Sequence, residues 1–407
     1  MNSDRAARRS PWEPIGAAVF LLALAVGLPI ALHRAIHNTG GTDFPEFYAA
    51  GRHVLEHRDR QPNSILYYYL PSVDAAWSAL AWMPLPVAAA VWYLLSAGTW
   101  VGLLLAVRRY CMADSFEPYR RQAALAAGLL VMPLAVDHFC LGAFHILMLW
   151  LMALGLGRAS RGRDLSGGFF LGLAVWIKLL PAVGVGYLLV KRRPLAAIMA
   201  VATAVLVDAV VSLVAFGPEE AWELHRRWWR DQGQGATGRL LSEPRHLQED
   251  RPSNQSPAVV ARRLLSTMGE PGDGQPRPAL VDLPPNQLRM AYLGFLALLG
   301  LGMLWVCRRP AGGTSPAQWS VEIPLMQLAT LWLSPVAWSY HFVAVAPVLA
   351  AILARKPAHP RLVWAVVAFW AFACAWFGCY WARYFGLMFW TSLALAAILV
   401  ASAPRAE

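Results

Sequence analysis

Residues 166–190 read SGGFFLGLAVWIKLLPAVGVGYLLV, an apolar stretch with a single charged residue, Lys178. Basic segments flank it on both sides, at residues 158–163 and 191–193. Short loops rich in Arg and Lys favour the cytoplasmic face of a membrane, so both ends of the stretch are predicted on that face. One crossing cannot return to the same side, whereas two half-helices of about 18 Å each can, at twelve residues and 1.5 Å per residue. The stretch therefore predicts a helix pair broken at residues 178–181, inside the membrane and facing protein or water.

The composition of the whole chain extends this membrane interpretation. Hydrophobic residues make up 57% of 407 positions and charged residues 14%, against about 45–50% and 25% in soluble domains. Long runs with almost no charge lie at 15–32, 87–107, 194–216, 362–373 and 387–401. Runs of about 17–25 apolar residues match the thickness of a bilayer. We predict an all-α polytopic membrane protein forming one domain over 1–407, with about ten full transmembrane helices plus short re-entrant or interfacial helices.

The positions of the basic residues predict the orientation. Arg5, Arg8 and Arg9 precede the first run, which we interpret as a retained anchor with a cytoplasmic N-terminus. Residues 33–72 are then predicted to form the first extracytoplasmic loop, and 217–286 a large extracytoplasmic loop later in the chain. Residues 71–86, which are short and bounded by prolines, predict an interfacial or re-entrant piece. Residues 319–354 predict two full spans with an outer turn near 334–335. The expected location is the inner membrane, with several crossings.

The charge and the cysteines exclude other classes of function. The net charge of +11 lies in short segments between apolar runs, which is typical of cytoplasmic loops, so we expect membrane lipids and no nucleic acid as partners. None of the five cysteines has metal-ligand spacing. The stretch HVLEH at 53–57 matches a zinc-protease pattern, but arginines surround it and no distal acidic ligand is evident, so we predict a solvated helix and no metal site.

The first outer loop contains candidate catalytic residues. It reads TDFPEFY at 42–48 and later YYYLP at 67–71. A carboxylate such as Asp43 can accept a hydroxyl proton, and aromatic rings can stack on a sugar. The alternative is an interfacial belt of aromatic residues around a solvated aspartate.

Two further residues suggest phosphate binding. Lys178 is one of only three lysines, and an intramembrane cation by default indicates function, since it costs roughly 2.5–3.5 kcal/mol to insert. At a helix break it could bind an anionic phosphate, or alternatively extend to an interface. His341, in SPVAWSYH at 334–341, could position a phosphate or a hydroxyl or have a structural role.

These motifs, in this order along the chain, resemble glycosyltransferase family 87, the polyprenol-phosphate-mannose-dependent mannosyltransferases of the GT-C superfamily. The resemblance rests on Asp43-Phe44, Tyr69-Leu70-Pro71, IKLLP at 177–181, Asn254-Gln255-Ser256 and the 334–341 stretch. Two family patterns are altered, because GAFH at 142–145 replaces Gly-Gln-x-Asn and Tyr340-His341 replaces a histidine pair.

The resemblance implies a GT-C-type fold and inverting transfer of a sugar, with mannose expected, from a polyprenyl-phosphate-linked donor to a lipid or glycan acceptor on the extracytoplasmic side. Asp43 would be the general base, and Lys178 and His341 would bind the donor phosphate. The expected substrate-binding residues are Glu46, Tyr48, Tyr69, Asn254, Gln255 and Trp338. We expect no cofactor and no metal, since a polyprenyl phosphate leaves readily once a cation neutralises it.

The alternative function is a transporter or flippase of lipid-linked sugars, which also uses broken helices and intramembrane charges. A carrier places its charges near the midplane between two matched halves, whereas the acidic and histidine candidates here lie in outer loops.

Overall fold

A computed structural model shows helices throughout the parts of the chain that it describes, which are residues 12–37, 42–56, 69–112, 119–230, 251–267, 279–355 and 360–402. The N-terminal half contains α1 (Trp12–His37), α2 (Asp43–Leu55), α3 (Pro71–Ala81), α4 (Leu85–Tyr110), α5 (Tyr119–Leu141), α6 (His145–Ala159), α7 (Asp164–Ile177), α8 (Ala182–Val190) and α9 (Pro194–Trp228). The C-terminal half contains α10 (Pro257–Leu265), α11 (Pro285–Cys307), α12 (Pro316–Trp332), α13 (Ala346–Leu353), α14 (Pro360–Ala375), α15 (Tyr380–Tyr384) and α16 (Leu387–Ala401). Short 3₁₀ helices lie at Ala311–Gly313, Ser339–Val345 and Trp376–Gly378.

The all-α membrane architecture is confirmed in the described residues, with a difference in helix length. About ten full spans were predicted, and in the part of the chain that the structure describes five helices are long and apolar enough to cross a bilayer: Pro14–His37, Leu85–Tyr110, Arg120–Leu141, Pro194–Trp228 and Pro285–Cys307. Further apolar helices are shorter: His145–Ala159, Asp164–Ile177, Ser339–Leu353, Val367–Gly378 and Leu387–Ala401.

The predicted pair of full spans in 319–354 is wrong in length. The helix before the turn, α12, has 17 residues, and the segment after it starts as the 3₁₀ helix Ser339–Val345 before the eight residues of α13. Pro335 contributes to this outcome, because proline has no backbone N–H and disfavours helical geometry in the residue before it.

The break predicted at residues 178–181 is confirmed. Helix α7 ends at Ile177, Lys178 is extended with φ −153° and ψ 135°, and α8 begins at Ala182. Pro181 explains the stop, since it cannot donate the next helical hydrogen bond and pushes the residue before it out of the α region. The helix α3, within the predicted short piece at 71–86, has 11 residues, too few to cross a bilayer by itself.

Glycines bring α7 close to its neighbours and so fix the position of the break. A Cβ on Gly168 would lie 2.5 Å from the Ala196 carbonyl oxygen of α9, and one on Gly155 of α6 would lie 2.8 Å from the Leu171 nitrogen. Small residues permit this close approach of helices in membranes. Helices α6, α12 and α13 form the buried centre, while α1, α9 and α11 expose apolar side chains such as Leu21, Val214 and Leu298, as lipid-facing helices do.

Candidate active site

Asp43 begins α2 and lies in a largely apolar pocket. Its side chain is only 6% exposed, while the free N–H groups of the first helical turn favour a negative charge there. Phe47, on the next turn, packs against Trp77 and Phe144 with ring centroids 4.9 and 4.8 Å apart, and these contacts hold α2 in place. Burial raises the pKa of Asp43 to about 7, and the nearby Tyr340 hydroxyl and Lys178 charge oppose that rise. A carboxyl group with this pKa is suited to accept a proton near neutral pH.

Tyr340 connects the 3₁₀ helix Ser339–Val345 to Asp43. Its hydroxyl donates a hydrogen bond of 3.1 Å to Oδ2 of Asp43, and its ring stacks on His341 with centroids 4.3 Å apart. The Nδ1 atom of His341 accepts a bond of 3.0 Å from the Trp338 backbone N–H. The neutral imidazole must therefore carry its hydrogen on Nε2, which makes that atom a hydrogen-bond donor.

Lys178 lies within electrostatic range of Asp43, at the break between α7 and α8. Its ammonium is 5.9 Å from the centre of the Tyr69 ring, a cation–π contact. Burial, together with the charge of Asp43, raises the pKa of the Tyr69 hydroxyl, so Tyr69 stays neutral. The structure thus brings Asp43, Lys178, Tyr69 and His341 together in one part of the molecule.

Three other predicted site residues, Glu46, Tyr48 and Trp338, make contacts of other kinds. Glu46 is half-buried on α2 and acts electrostatically on Asp43, whereas the Tyr48 hydroxyl donates to the Met83 carbonyl at 2.8 Å. Trp338 contributes its backbone N–H to His341.

Asn254 and Gln255 are buried between two loops. Oδ1 of Asn254 accepts backbone N–H bonds from Ser256 at 3.1 Å and Ala337 at 3.0 Å. The backbone N–H of Gln255 donates to the Ala337 carbonyl at 2.7 Å, and its side-chain amide donates to the Arg383 carbonyl at 2.6 Å. The Asn254 side chain and the Gln255 backbone N–H therefore fix the loop that precedes Ser339–Val345, and so position Tyr340 and His341. The Gln255 side chain instead ties this segment to Arg383.

Several site residues were missed by the sequence analysis. His138 and His145 lie, with His341, within electrostatic range of Lys178, and the His145 and His341 ring centroids are 4.8 Å apart. Asp137 acts electrostatically on Asp43. The available signal was the pair Asp137-His138 inside the apolar run of α5, because polar residues within a membrane span usually have a function.

A chain of hydrogen bonds holds the end of α7. The Trp176 indole N–H donates to Ser72 Oγ at 2.8 Å, and Ser72 donates in turn to Asp208 of α9. Nε2 of His225 lies 2.9 Å from the other Asp208 oxygen. Trp176 precedes Lys178 by two residues, so these hydrogen bonds fix the position of the break between α7 and α8.

The arrangement combines a buried carboxylate, a cation and imidazole donors. A carboxylate can remove a hydroxyl proton, and a lysine with a histidine N–H can stabilise charge on a leaving phosphate. In the described part of the chain, no group of three or more His, Cys, Asp and Glu side chains is placed to hold a metal ion. Within the zinc-protease pattern, Arg52 pairs with Glu56 at 2.5 Å, and His57 lies outside the described residues.

Comparison with known proteins adds independent evidence. The sequence model of glycosyltransferase family 87 matches residues 67–335. Over 358 residues the chain is 28% identical to a polyprenol-phosphate-mannose-dependent alpha-(1-2)-phosphatidylinositol mannoside mannosyltransferase of Mycolicibacterium smegmatis, covering 83% of this chain and 68% of the relative.

One similar solved structure is the apo oligosaccharyltransferase of Archaeoglobus fulgidus, at a TM-score of 0.39 and 13% identity. That match covers 95% of this chain, which spans 56% of the oligosaccharyltransferase.

The family match includes Tyr69, Lys178, Asn254 and Gln255, while Asp43 lies before its start and His341 after its end. Since the match extends over more than half of a chain whose helices are suited to a bilayer, the protein belongs to glycosyltransferase family 87 and is a membrane glycosyltransferase.

Proposed function

We propose that this enzyme transfers mannose from a polyprenyl-phosphate-linked donor to a hydroxyl of a lipid or glycan acceptor, on the extracytoplasmic side of the inner membrane. The observation that carries the proposal is the buried Asp43 carboxylate, held by Tyr340 and within electrostatic range of Lys178 at the helix break. The donor and the acceptor class follow the name of the mycobacterial relative, which is a polyprenol-phosphate-mannose-dependent enzyme acting on a phosphatidylinositol mannoside. We also assign the chain the GT-C type of fold.

The reaction is a single displacement. Asp43 removes the proton of the acceptor hydroxyl as the oxygen attacks the anomeric carbon of the donor sugar. The bond between that carbon and the phosphate oxygen breaks, and its electron pair stays on the polyprenyl phosphate. One displacement inverts the anomeric configuration, and it needs only one catalytic carboxylate.

Lys178 and His341 stabilise the leaving group. The Lys178 ammonium neutralises the charge that grows on the phosphate, and the His341 Nε2–H donates a hydrogen bond to it. The tautomer set by the Trp338 N–H makes this donation available without protonating the ring. The phosphate is itself the leaving group, so the proposed reaction needs no cofactor.

A transfer assay tests the proposal. Purified protein is incubated with radiolabelled polyprenyl-phosphate-mannose and a bacterial membrane lipid extract, and labelled lipids are separated and analysed. We expect a labelled product whose anomeric configuration is opposite to that of the donor, and no product from GDP-mannose. Movement of the intact donor across proteoliposomes, without a new glycosidic bond, would instead support the flippase alternative.

A further inference from the structure

We propose that Asp137 and Arg34 form the acceptor subsite, with Asp137 binding hydroxyls of a sugar or polyol headgroup beside the one that reacts. This inference rests on the proposed function, because it assigns the acceptor side of the same site.

The same 3₁₀ helix, Ser339–Val345, holds the carboxylates of both Asp43 and Asp137. Ser339 donates a hydrogen bond of 3.1 Å to Oδ2 of Asp137, and the adjacent Tyr340 donates one of 3.1 Å to Asp43. Two consecutive residues of one 3₁₀ turn thus hold both acids. The spacing between them is consequently fixed by a short piece of backbone.

Asp137 is accessible, unlike Asp43. The Asp137 side chain is 35% exposed, as is that of Arg34, whose Nη1 lies 3.8 Å from Asp137 Oδ1. A half-exposed carboxylate beside a buried catalytic one has free solvent-facing area for a ligand. Carboxylates accept hydrogen bonds from neighbouring sugar hydroxyls, and a charged acceptor makes the stronger bonds.

The direction of the reaction places the acceptor on this side. In an in-line displacement the leaving phosphate and the attacking oxygen lie on opposite sides of the anomeric carbon. With the phosphate at Lys178 and the attacking oxygen at Asp43, the rest of the acceptor extends beyond Asp43. The aromatic cluster of Phe47, Trp77 and Phe144 closes another side of α2, which leaves Asp137 as a polar, accessible neighbour.

Arg34 suits an acceptor that arrives from the bilayer. It lies in the last turn of α1, a helix that exposes Leu21, Leu22 and Val26 as a lipid-facing surface. A lipid alongside α1 would present its headgroup at the level of Arg34.

The test measures acceptor recognition separately from donor use. The probe is octyl α-mannoside with its series of single-deoxy analogues, with labelled polyprenyl-phosphate-mannose as donor. In Asp137→Asn the KM for octyl α-mannoside should rise about tenfold or more, as expected for one charge-assisted hydrogen bond. The KM for the donor should stay within about twofold, since Lys178 and His341 are intact.

The deoxy series identifies the hydroxyl that Asp137 binds. The analogue that lacks the attacking hydroxyl cannot accept mannose and is set aside. Among the others, one should be a poor acceptor for the wild type, and its penalty should vanish in Asp137→Asn, because the substitution and the analogue each remove one partner of the same hydrogen bond. Ser339→Ala, which removes a smaller group, should weaken the same discrimination by a lesser amount if Asp137→Asn does not fold. Asp164→Asn is the matched control, since Asp164 pairs with Arg193 at 3.5 Å at the far end of α7 from Lys178.

The outcomes separate the subsite from the function. Suppose that the wild type transfers mannose from the donor. If the variants then keep the acceptor KM and the full deoxy penalty, or raise only the donor KM, the subsite is overturned and the proposed function is not. A wild type that transfers mannose neither to octyl α-mannoside nor to the lipid extract would overturn the proposed function and the subsite with it. If the lipid extract supplies an acceptor but octyl α-mannoside does not act as one, the purified labelled product identifies that acceptor. The KM values of the wild type and the Asp137 variant are then compared with it.

Discussion

The hydroxyl of Tyr340 donates a 3.1 Å hydrogen bond to Asp43, 297 positions away in the sequence. The bond joins the start of α2 to the 3₁₀ helix Ser339–Val345 and so assembles the site from the two ends of the chain. It also stabilises the charged form of the carboxylate, against the burial that raises the pKa of Asp43 to about 7.

The pH dependence of transfer follows from this bond. A general base acts when deprotonated, so wild-type kcat/KM should rise with pH, reach half its maximum near pH 7 and level off above it. Tyr340→Phe removes a donor that favours the carboxylate, so the pKa of Asp43 should rise further and the acid limb move to higher pH. A kcat/KM profile from about pH 5 to pH 9 measures the shift.

The matched control for that profile is Tyr93→Phe, which removes a buried hydroxyl bonded to the Leu24 carbonyl at 3.2 Å. Its acid limb should coincide with that of the wild type. An acid limb in Tyr340→Phe that stays in place or moves to lower pH would refute the assignment of this limb to Asp43.

Lys178 should bind the donor phosphate and speed its departure. Lys178→Met should weaken donor binding and slow transfer by about 10²-fold, the usual loss when one stabilising group at a leaving oxygen is removed. Lys178→Arg should restore only part, because a planar guanidinium does not replace a compact ammonium. Donor affinity and turnover are measured together, with a thermal melt to check folding. Unchanged donor affinity and turnover in Lys178→Met would show that the lysine only extends to an interface.

His341 offers a test of which ring nitrogen matters. Asn places a polar atom near the position of Nδ1, which binds the Trp338 N–H, whereas Gln places one near Nε2, the proposed donor to the phosphate. We therefore expect His341→Gln to retain more transfer than His341→Asn. A purely structural histidine would give the reverse order in both transfer rate and melting temperature.

The orientation in the membrane is tested by cysteine labelling. Cys374 and Cys379 are half-buried and are first replaced by Ser, while Cys111, Cys140 and Cys307 are buried. In that background an impermeant maleimide added to intact cells should label Ser242→Cys and not Ser115→Cys. Labelling of Ser115→Cys from outside would reverse the predicted topology.

Local signals in the sequence predicted part of this site. The basic segments around residues 166–190, with Pro181, predicted the break that positions Lys178, because charge placement and proline geometry act locally. Asp43 was predicted from its neighbours at the start of α2. Asp137 and His138 were missed, since their proximity to Asp43 and Lys178 depends on how α5 packs against the 3₁₀ turn.

Long-range contacts also explain the remaining differences. Asn254 stays a predicted substrate-binding residue, and the hydrogen bond that its oxygen accepts from the backbone N–H of Ala337 is a relationship that no local pattern encodes. The helix lengths in 319–354 were overestimated because hydropathy does not reveal where a polar turn continues as 3₁₀ helix.

The most direct test of the central claim is the transfer rate of Asp43→Asn beside the wild type, measured with labelled polyprenyl-phosphate-mannose at a pH above 7. The amide keeps the shape of the side chain but cannot take a proton, so the rate should fall at least about 10²-fold, with donor affinity and melting temperature little changed. Asp164→Asn controls for the loss of a carboxylate, because Asp164 lies at the end of α7 that is far from Lys178. This variant should retain the wild-type rate. Near-normal turnover in Asp43→Asn would contradict the assignment of Asp43 as the base and, with it, the proposed mechanism.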